Sequence, residues 1–314
     1  MSVTSTSVRT DAGSPAPSTR STVLVVGTGT MGAGIAQVAA LGGYRTLVHD
    51  AAAAQVDAAI RRIGDDLEKG LARGKVAVAD RDAALARLER APDLATAAAS
   101  AGFVIEAVVE DMATKQTVFR TITRHAPGDA IFATNTSALS ITEIAASIDA
   151  PDRVIGMHFF NPVPRMALVE VIRGLQTSTS TVERTFEVAR RMGKEPVEVN
   201  EFPGFAVSRI NAMIGNEAFY MLMEGVASAE GIDKALRLGL NHPMGPFELG
   251  DLVGWDIRLK VLEHLHATLG EKFRPCPLLV KYVRAGRLGR KTGRGVYEYS
   301  ASGELIRASA DTPR

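Results

Sequence analysis

One stretch of the chain constrains its fold more than any other. The β-branched run Val23-Leu-Val-Val26 leads directly into Gly27-Thr-Gly29-Thr-Met-Gly32-Ala-Gly34 and then an Ala-rich segment. A buried strand that ends on such a loop and continues as a helix needs each glycine for a different reason. Gly27 permits the tight turn, Gly29 lets backbone N–H groups approach a pyrophosphate, and Gly32 lets the helix pack against the strand. The helix N-terminus, with its unpaired N–H groups and partial positive charge, receives the diphosphate. The next apolar run, Tyr44-Arg-Thr-Leu-Val-His-Asp50, closes on a carboxylate, about 20 residues on, where such an acid meets a ribose diol. A loop that uses glycines only to turn leaves Asp50 unexplained. Gly27, Gly29, Thr30, Met31, Gly32 and Asp50 are therefore expected to hold a dinucleotide. Asp50 repels a 2′-phosphate, and Ala51 to Ala54 offer no arginine to bind one; the expected cofactor is NAD rather than NADP.

Composition removes several function classes. The 314 residues carry a net charge of only +1 and are 46% hydrophobic. There is no basic excess for nucleic acid, and no apolar run approaches the roughly 18 residues of a membrane span. The single cysteine, Cys276, lies between Pro275 and Pro277 and has no internal disulfide partner, which fits a reducing, cytoplasmic setting. His264 and His266 point to different helix faces, and no His/Cys/Asp/Glu spacing supports a metal site. Residues 1–20, rich in Ser, Thr, Pro, Ala and Gly, read as a disordered tail rather than a signal peptide.

Periodicity divides the rest. After the fingerprint helix (30–42) and second strand (44–50), residues 53–90 read as a helical hairpin broken near Gly70–Gly74. Strands follow at 102–109 and 130–135, separated by an amphipathic helix near 112–125, and a short helix at 140–148 is begun by Ser140. This alternation predicts a doubly wound parallel α/β sheet of Rossmann type. Residues 153–160 and 167–172 are apolar strands joined through Asn161-Pro-Val-Pro164, a connection short enough to predict an antiparallel pair. A helix (180–192) and strand (196–199) complete the first domain, 21–203. Beyond Asn200-Glu-Phe-Pro-Gly204, helical periodicity dominates at 205–225, 228–239, 246–268 and 277–285. Residues 204–300 are expected to be an all-helical substrate-binding domain, and 301–314 a flexible tail. The apolar stripe of 205–225 predicts burial against a subunit partner, hence a homodimer.

A nicotinamide at the carboxyl ends of the strands needs a base to take a substrate's hydroxyl proton, and histidine has the suitable pKa range. His158 interrupts the apolar strand Ile155-Gly-Met-His158-Phe-Phe, and Glu170 interrupts Leu168-Val-Glu170-Val-Ile in the same way. Both are six positions from Pro164, so a hairpin centred there sets them opposite each other. Such a pair is either a general base with its orienting carboxylate or a buried ion pair that stabilises the hairpin. Ser137, in Asn135-Thr-Ser137, follows a strand at its carboxyl end, where it either hydrogen-bonds a substrate oxygen or serves as a helix cap or turn residue.

These residues carry a family resemblance. Over about 21–299 the chain resembles the 3-hydroxyacyl-CoA dehydrogenases, most closely the 3-hydroxybutyryl-CoA dehydrogenase branch. The motifs are Gly27–Gly32, Glu106-Ala-Val-Val-Glu110, Asn135-Thr-Ser137, His158-Phe-Phe-Asn-Pro-Val-Pro164, Leu168-Val-Glu170-Val-Ile, Phe202-Pro-Gly-Phe205 and His242-Pro-Met-Gly-Pro246. The resemblance implies His158 as general base, Glu170 as its orienter and Ser137 as a donor to the substrate oxygen. It places Glu110, Lys115 and Lys291 at the nicotinamide end of NAD, counts Asn135 among the cofactor-binding residues, and sets CoA against the insertion that carries Arg61, Arg62, Lys69, Arg73 and Lys75. Where the family usually has asparagine after Pro-Gly-Phe-x-Val, this chain has Ser208, which is expected to take over that donor role. The implied reaction is reversible hydride transfer between C3 of an acyl-CoA and NAD. A sugar-acid dehydrogenase and a non-catalytic dinucleotide-binding protein are the alternatives.

Overall fold

The structure, a computed structural model, describes residues 21–308. The expected N-terminal tail and residues 309–314 lie outside the described residues. The chain divides into two compact units between Glu198 and Val199.

The first unit is built on one eight-stranded sheet: β1 (Thr22–Val26), β2 (Arg45–His49), β3 (Leu88–Arg90), β4 (Phe103–Glu106), β5 (Ile131–Thr134), β6 (Val154–Phe159), β7 (Leu168–Arg173) and β8 (Glu195–Asn200). Spatial order is β3-β2-β1-β4-β5-β6-β7-β8. The pairings from β3 to β6 are parallel, and β7 runs antiparallel to β6. Every residue of β1, β4 and β5 is buried, as central parallel strands covered on both faces require. The order reverses at β1 and β4, so a crevice opens beyond their carboxyl ends.

The covering helices are α1 (Thr30–Leu41), α2 (Ala53–Ala72), α3 (Val78–Ala86), α4 (Leu94–Ala99), α5 (Met112–His125), α6 (Ile141–Ala145) and α7 (Thr179–Arg191). α1 is nearly all small or apolar and is buried from Gly32 to Ala40, with α2 and α3 packed on it. Asp93, Asp111, Ser140 and Ser178 cap α4 to α7 through side-chain oxygens, whereas Gly29 opens α1 without a side-chain cap.

Two elements differ from the sequence reading. The helical hairpin stops at Ala86, and Leu88–Arg90 becomes the edge strand β3, paired to β2. Its half-exposed Leu-Glu-Arg has no apolar alternation; ladder bonds to Thr46–Val48 make it a strand. The short helix α4, capped by Asp93, has only an alanine-rich pattern to announce it.

The second unit contains α8 (Val207–Met223), α9 (Ala229–Gly239), α10 (Pro246–Val253), α11 (Trp255–Leu269) and α12 (Pro277–Arg284). Phe219 packs edge-on to Phe247, Trp255 and Tyr282, with centroids 5.3, 4.6 and 5.3 Å away. The expected helix over 246–268 is broken at Gly254, whose φ of +106° lies outside helical space. The break turns Trp255 over Gly250, where a Cβ would sit 2.1 Å from the indole. The unit is helical except for an antiparallel ribbon of β9 (Tyr297–Tyr299) and β10 (Leu305–Ala308). β10 corrects the expected flexible tail from residue 301: backbone pairing to β9 orders it.

Buried carboxylates fasten this unit. Asp251 accepts from Trp255 Nε1, Val296 N, Tyr297 N and Tyr299 Oη. Asp233 accepts from the N–H groups of Phe247 and Glu248 at the start of α10 and from Tyr297 Oη, at 2.8 to 3.0 Å. Burial pushes the Asp233 carboxyl up to about 6, although its three donors oppose that shift.

Candidate active site

A cleft of about 680 Å³ opens at the carboxyl ends of β1 and β4, between Gly27–Met31, Asp50, Gln55 and Ala107–Val109. Its floor has no room for side chains. A Cβ on Gly27, where φ is +95°, would lie 2.6 Å from the Ala107 carbonyl oxygen. One on Gly32 would lie 1.8 Å from the Gly27 carbonyl oxygen, so the first turn of α1 sits directly on the loop. Gly29 has nothing within 4 Å of a built Cβ: the closely packed glycines form the loop, and the open one leaves its approach clear. An uncapped helix start with no acidic residue in its first turn suits an anion. The residues present thus fit a dinucleotide.

Asp50 is prepared for its role by Thr28. Its Oδ2 accepts from both Thr28 N and Thr28 Oγ1 at 2.8 Å, and its Oδ1 accepts from Ala52 N at 3.1 Å. Partial burial works to raise this carboxyl, but the donors outweigh it and hold it below the usual carboxylate range. An ionised, oriented carboxylate therefore faces the cleft. Arg62 is exposed, and its Nη2 donates to the Thr28 carbonyl at 2.7 Å, which ties α2 to the glycine loop. Lys69 lies 3.7 Å from Asp66.

Glu110 and Lys115, expected at the nicotinamide end, and Asn135, expected at the cofactor, do not line that cleft; they gather about the turn after β5. Glu110 Oε1 accepts from Thr136 Oγ1 at 2.6 Å and Ser137 N at 2.9 Å, with Ser137 Oγ at 3.4 Å. Lys115 is 1% exposed, with Nζ 2.7 Å from Glu106 and 3.4 Å from Glu110. Asn135 Oδ1 accepts from Phe159 N at 3.0 Å and joins the end of β5 to the end of β6. Ser137 is exposed, and Ser140 is the cap of α6, so capping does not account for Ser137.

The β6–β7 register sets His158 directly opposite Glu170. Glu170 is 1% exposed, and its Oε2 lies 2.8 Å from His158 Nδ1. A carboxylate only accepts, so Nδ1 carries the proton and the neutral ring holds its lone pair at Nε2. Phe160 leans on the imidazole, with centroids 4.6 Å apart. Lys194 braces the connection between the strands: its buried ammonium donates to the carbonyls of Val163 and Met166 at 2.5 and 2.8 Å. His158, at the end of β6, and Ser137, just past β5, therefore stand on adjacent strands at the edge where the cleft opens.

Ser208 and Lys291 belong to the second unit. Ser208 is half-buried in the first turn of α8, and Lys291 pairs with Asp256 at 2.5 Å. Sequence reasoning assigned no role to Glu106, Thr28, Thr134 or Thr136. Glu106 interrupts Phe103-Val-Ile-Glu106 as His158 and Glu170 interrupt their strands, so the same signal was present. Among the described residues no group of three or more His, Cys, Asp or Glu is placed to hold a metal, and no helix is long and apolar enough to cross a membrane.

Fold and site define an NAD-dependent dehydrogenase with a doubly wound cofactor domain and a helical second domain. Residues 22–202 match the family described as 3-hydroxyacyl-CoA dehydrogenase, NAD binding domain, and 204–299 match its C-terminal domain. A probable 3-hydroxybutyryl-CoA dehydrogenase of Bacillus subtilis is 48% identical over 278 residues, covering 88% of this chain and 96% of that relative. A 3-hydroxybutyryl-CoA dehydrogenase of Bradyrhizobium diazoefficiens is 44% identical over 279 residues, 88% of this chain and 94% of its own length. The solved (S)-3-hydroxybutyryl-CoA dehydrogenase of Ralstonia eutropha superposes with a TM-score of 0.86 at 44% identity, covering 89% of this chain and 99% of that one. The chain belongs to the 3-hydroxyacyl-CoA dehydrogenase family and acts as an NAD-dependent oxidoreductase.

Proposed function

We propose that the chain interconverts a short-chain 3-hydroxyacyl-CoA and its 3-oxoacyl-CoA, with 3-hydroxybutyryl-CoA and acetoacetyl-CoA as the leading pair. The observation that carries this reading is the buried His158–Glu170 pair at the strand edge beside the dinucleotide cleft. The Gly27–Gly32 loop and Asp50 would hold NAD, which when bound would supply the acceptor for the C3 hydride or, reduced, its donor. His158 Nε2 takes the C3 hydroxyl proton in oxidation and returns it in reduction. Glu170 fixes the ring tautomer and offsets the positive charge that forms on it. Ser137 donates to the reacting oxygen, and Glu110 holds the turn that carries Ser137. A substrate oxygen between an imidazole and a hydroxyl is oriented by both.

Ser208 is assigned the further donor role implied by the family pattern. A Ser208→Asn variant with more than about a hundredfold higher turnover would contradict it, since one such donor is worth about 2.7–4 kcal/mol. Arg61, Arg62, Lys69, Arg73 and Lys75 are the candidates for CoA; Arg62 also donates one N–H to Thr28. A homodimer through the second unit is supported by exposed apolar side chains such as Ile210, Leu238 and Leu240, at 57, 73 and 64% exposure; sedimentation velocity tests it. The lone cysteine agrees with a cytoplasmic site of action.

The deciding experiment follows NADH absorbance with acetoacetyl-CoA, wild type beside His158→Ala. Wild type is expected to consume NADH and the variant to be strongly impaired. No loss of NADH with wild type, or equal loss in both, overturns the assignment.

A further inference from the structure

We propose that Glu106 is a positioning residue for hydride transfer: through Lys115 it sets the carboxylate of Glu110 and, with it, the Ser137 turn. The inference rests on the proposed reading of Ser137 as a donor to substrate.

Glu106 is fully buried at the end of β4, and its bonds run in two directions around one ring. Oε1 accepts from Lys115 Nζ at 2.7 Å and from Val108 N at 2.6 Å, in the backbone that lines the cofactor cleft. Oε2 accepts from Thr134 Oγ1 at 2.7 Å, and Thr134 Oγ1 accepts from Thr136 N at 3.3 Å. Thr136 Oγ1 donates to Glu110 Oε1, which also accepts from Ser137 N. Lys115 closes the ring, with Nζ 3.4 Å from Glu110 Oε2.

Neutralising Lys115 inside the protein needs one carboxylate. A purely structural pair would end at Glu106, yet the ammonium also stands within ion-pair reach of a second carboxylate, and that one holds the Ser137 turn. The distances divide the labour: Lys115 is bound tightly to Glu106 and loosely to Glu110. Glu110 thereby keeps its other oxygen on the amides of the turn. If Glu106 lost its charge, the buried ammonium would be drawn to Glu110 as its remaining counter-charge and would rotate that carboxylate off Ser137 N–H. Glu106 thus acts on the reacting end of the site without touching it, as carboxylates that hydrogen-bond a metal's ligands orient them from behind.

The test is Glu106→Gln in the full chain, which preserves shape and removes charge. Amide hydrogen exchange of the peptide spanning 135–140, measured without cofactor, is expected to accelerate about tenfold, the loss of one charge-assisted hydrogen bond. Other first-unit peptides stay as in wild type, while the melting temperature falls because one partner of a buried ion pair is lost. In the acetoacetyl-CoA assay kcat is expected to fall at least about tenfold with KM for NADH within about threefold. Adding Glu106→Gln to Ser137→Ala should cost little beyond Ser137→Ala alone. Thr134→Val, which removes one Glu106 contact, should give the same local exchange signature more weakly and serves if the glutamine variant does not fold. Unchanged exchange at 135–140 overturns the proposal, as does acceleration throughout the unit or fully multiplicative losses with Ser137→Ala. The exchange measurement needs no substrate, so failure of the acyl-CoA reading remains distinguishable from failure of this one.

Discussion

Glu170→Gln separates an acid–base pair from a structural one. The substitution keeps side-chain volume in a site that is 1% exposed and removes only the charge facing His158 Nδ1 at 2.8 Å. With charge centres about 4 Å apart and an effective dielectric of about 20, the lost attraction for an imidazolium is about 4 kcal/mol. The amide oxygen still accepts from Nδ1–H and returns about 1 kcal/mol. A net penalty of about 3 kcal/mol, at 1.36 kcal/mol per tenfold, lowers kcat about a hundredfold in the direction where His158 takes the proton. If the amide flips and donates to Nδ1, the ring adopts the wrong tautomer and the loss grows. Stability is less affected: removing one partner of a buried pair destabilises by stranding a charge, and a neutral imidazole strands none. The expected result is a variant with a melting temperature close to that of wild type and turnover reduced about a hundredfold. Steady-state assays in both directions, beside calorimetry, measure both quantities. Turnover within about fivefold of wild type would refute the reasoning, as would a further large loss on adding Glu170→Gln to His158→Ala. A purely structural pair would instead show a falling melting temperature with catalysis spared.

Three further outcomes follow from the same geometry. Gly32→Ala should destabilise the first unit severely, since its Cβ meets the Gly27 carbonyl at 1.8 Å, whereas Gly29→Ala, with open space around it, should fold normally and raise KM for NADH; equal melting temperatures would contradict this. Asp50→Ala should lower kcat/KM for NADH and raise it for NADPH, shifting their ratio at least about tenfold; an unchanged ratio would remove Asp50 from cofactor selection. Burial lifts Asp233 from 3.8 to about 6, so the folded state binds this proton more readily than the unfolded one. Its contribution is therefore fully present below pH 3.8 and is lost as pH rises through about 6, with a swing of about 3 kcal/mol. The difference in unfolding free energy between wild type and Asp233→Asn should fall across that window and level off above it; a flat or rising difference would contradict the assignment.

Much of the site was legible because its signals are local or symmetric about a turn. The strand–glycine–helix pattern, the acid at position 50 and polar residues interrupting apolar strands are short-range features. Equal spacing of His158 and Glu170 from Pro164 implies their register, and β6–β7 keeps it. Other features have no local signature. β3 and β10 are strands because a partner's backbone lies beside them. The bond from Arg62 to the Thr28 carbonyl, 34 positions away, has none either.

The sequence alone therefore determined the dinucleotide half, the hairpin and its opposed His158 and Glu170, because period, glycine sterics and turn length act within a few residues. Tertiary structure alone decided which polar groups share protons and charge. Glu106 meets Lys115 nine positions on and Thr134 twenty-eight positions on, and Glu110 meets Ser137 only because β4 and β5 lie side by side. Away from water each of those groups must find a partner, and the partners come from wherever the sheet brings the chain.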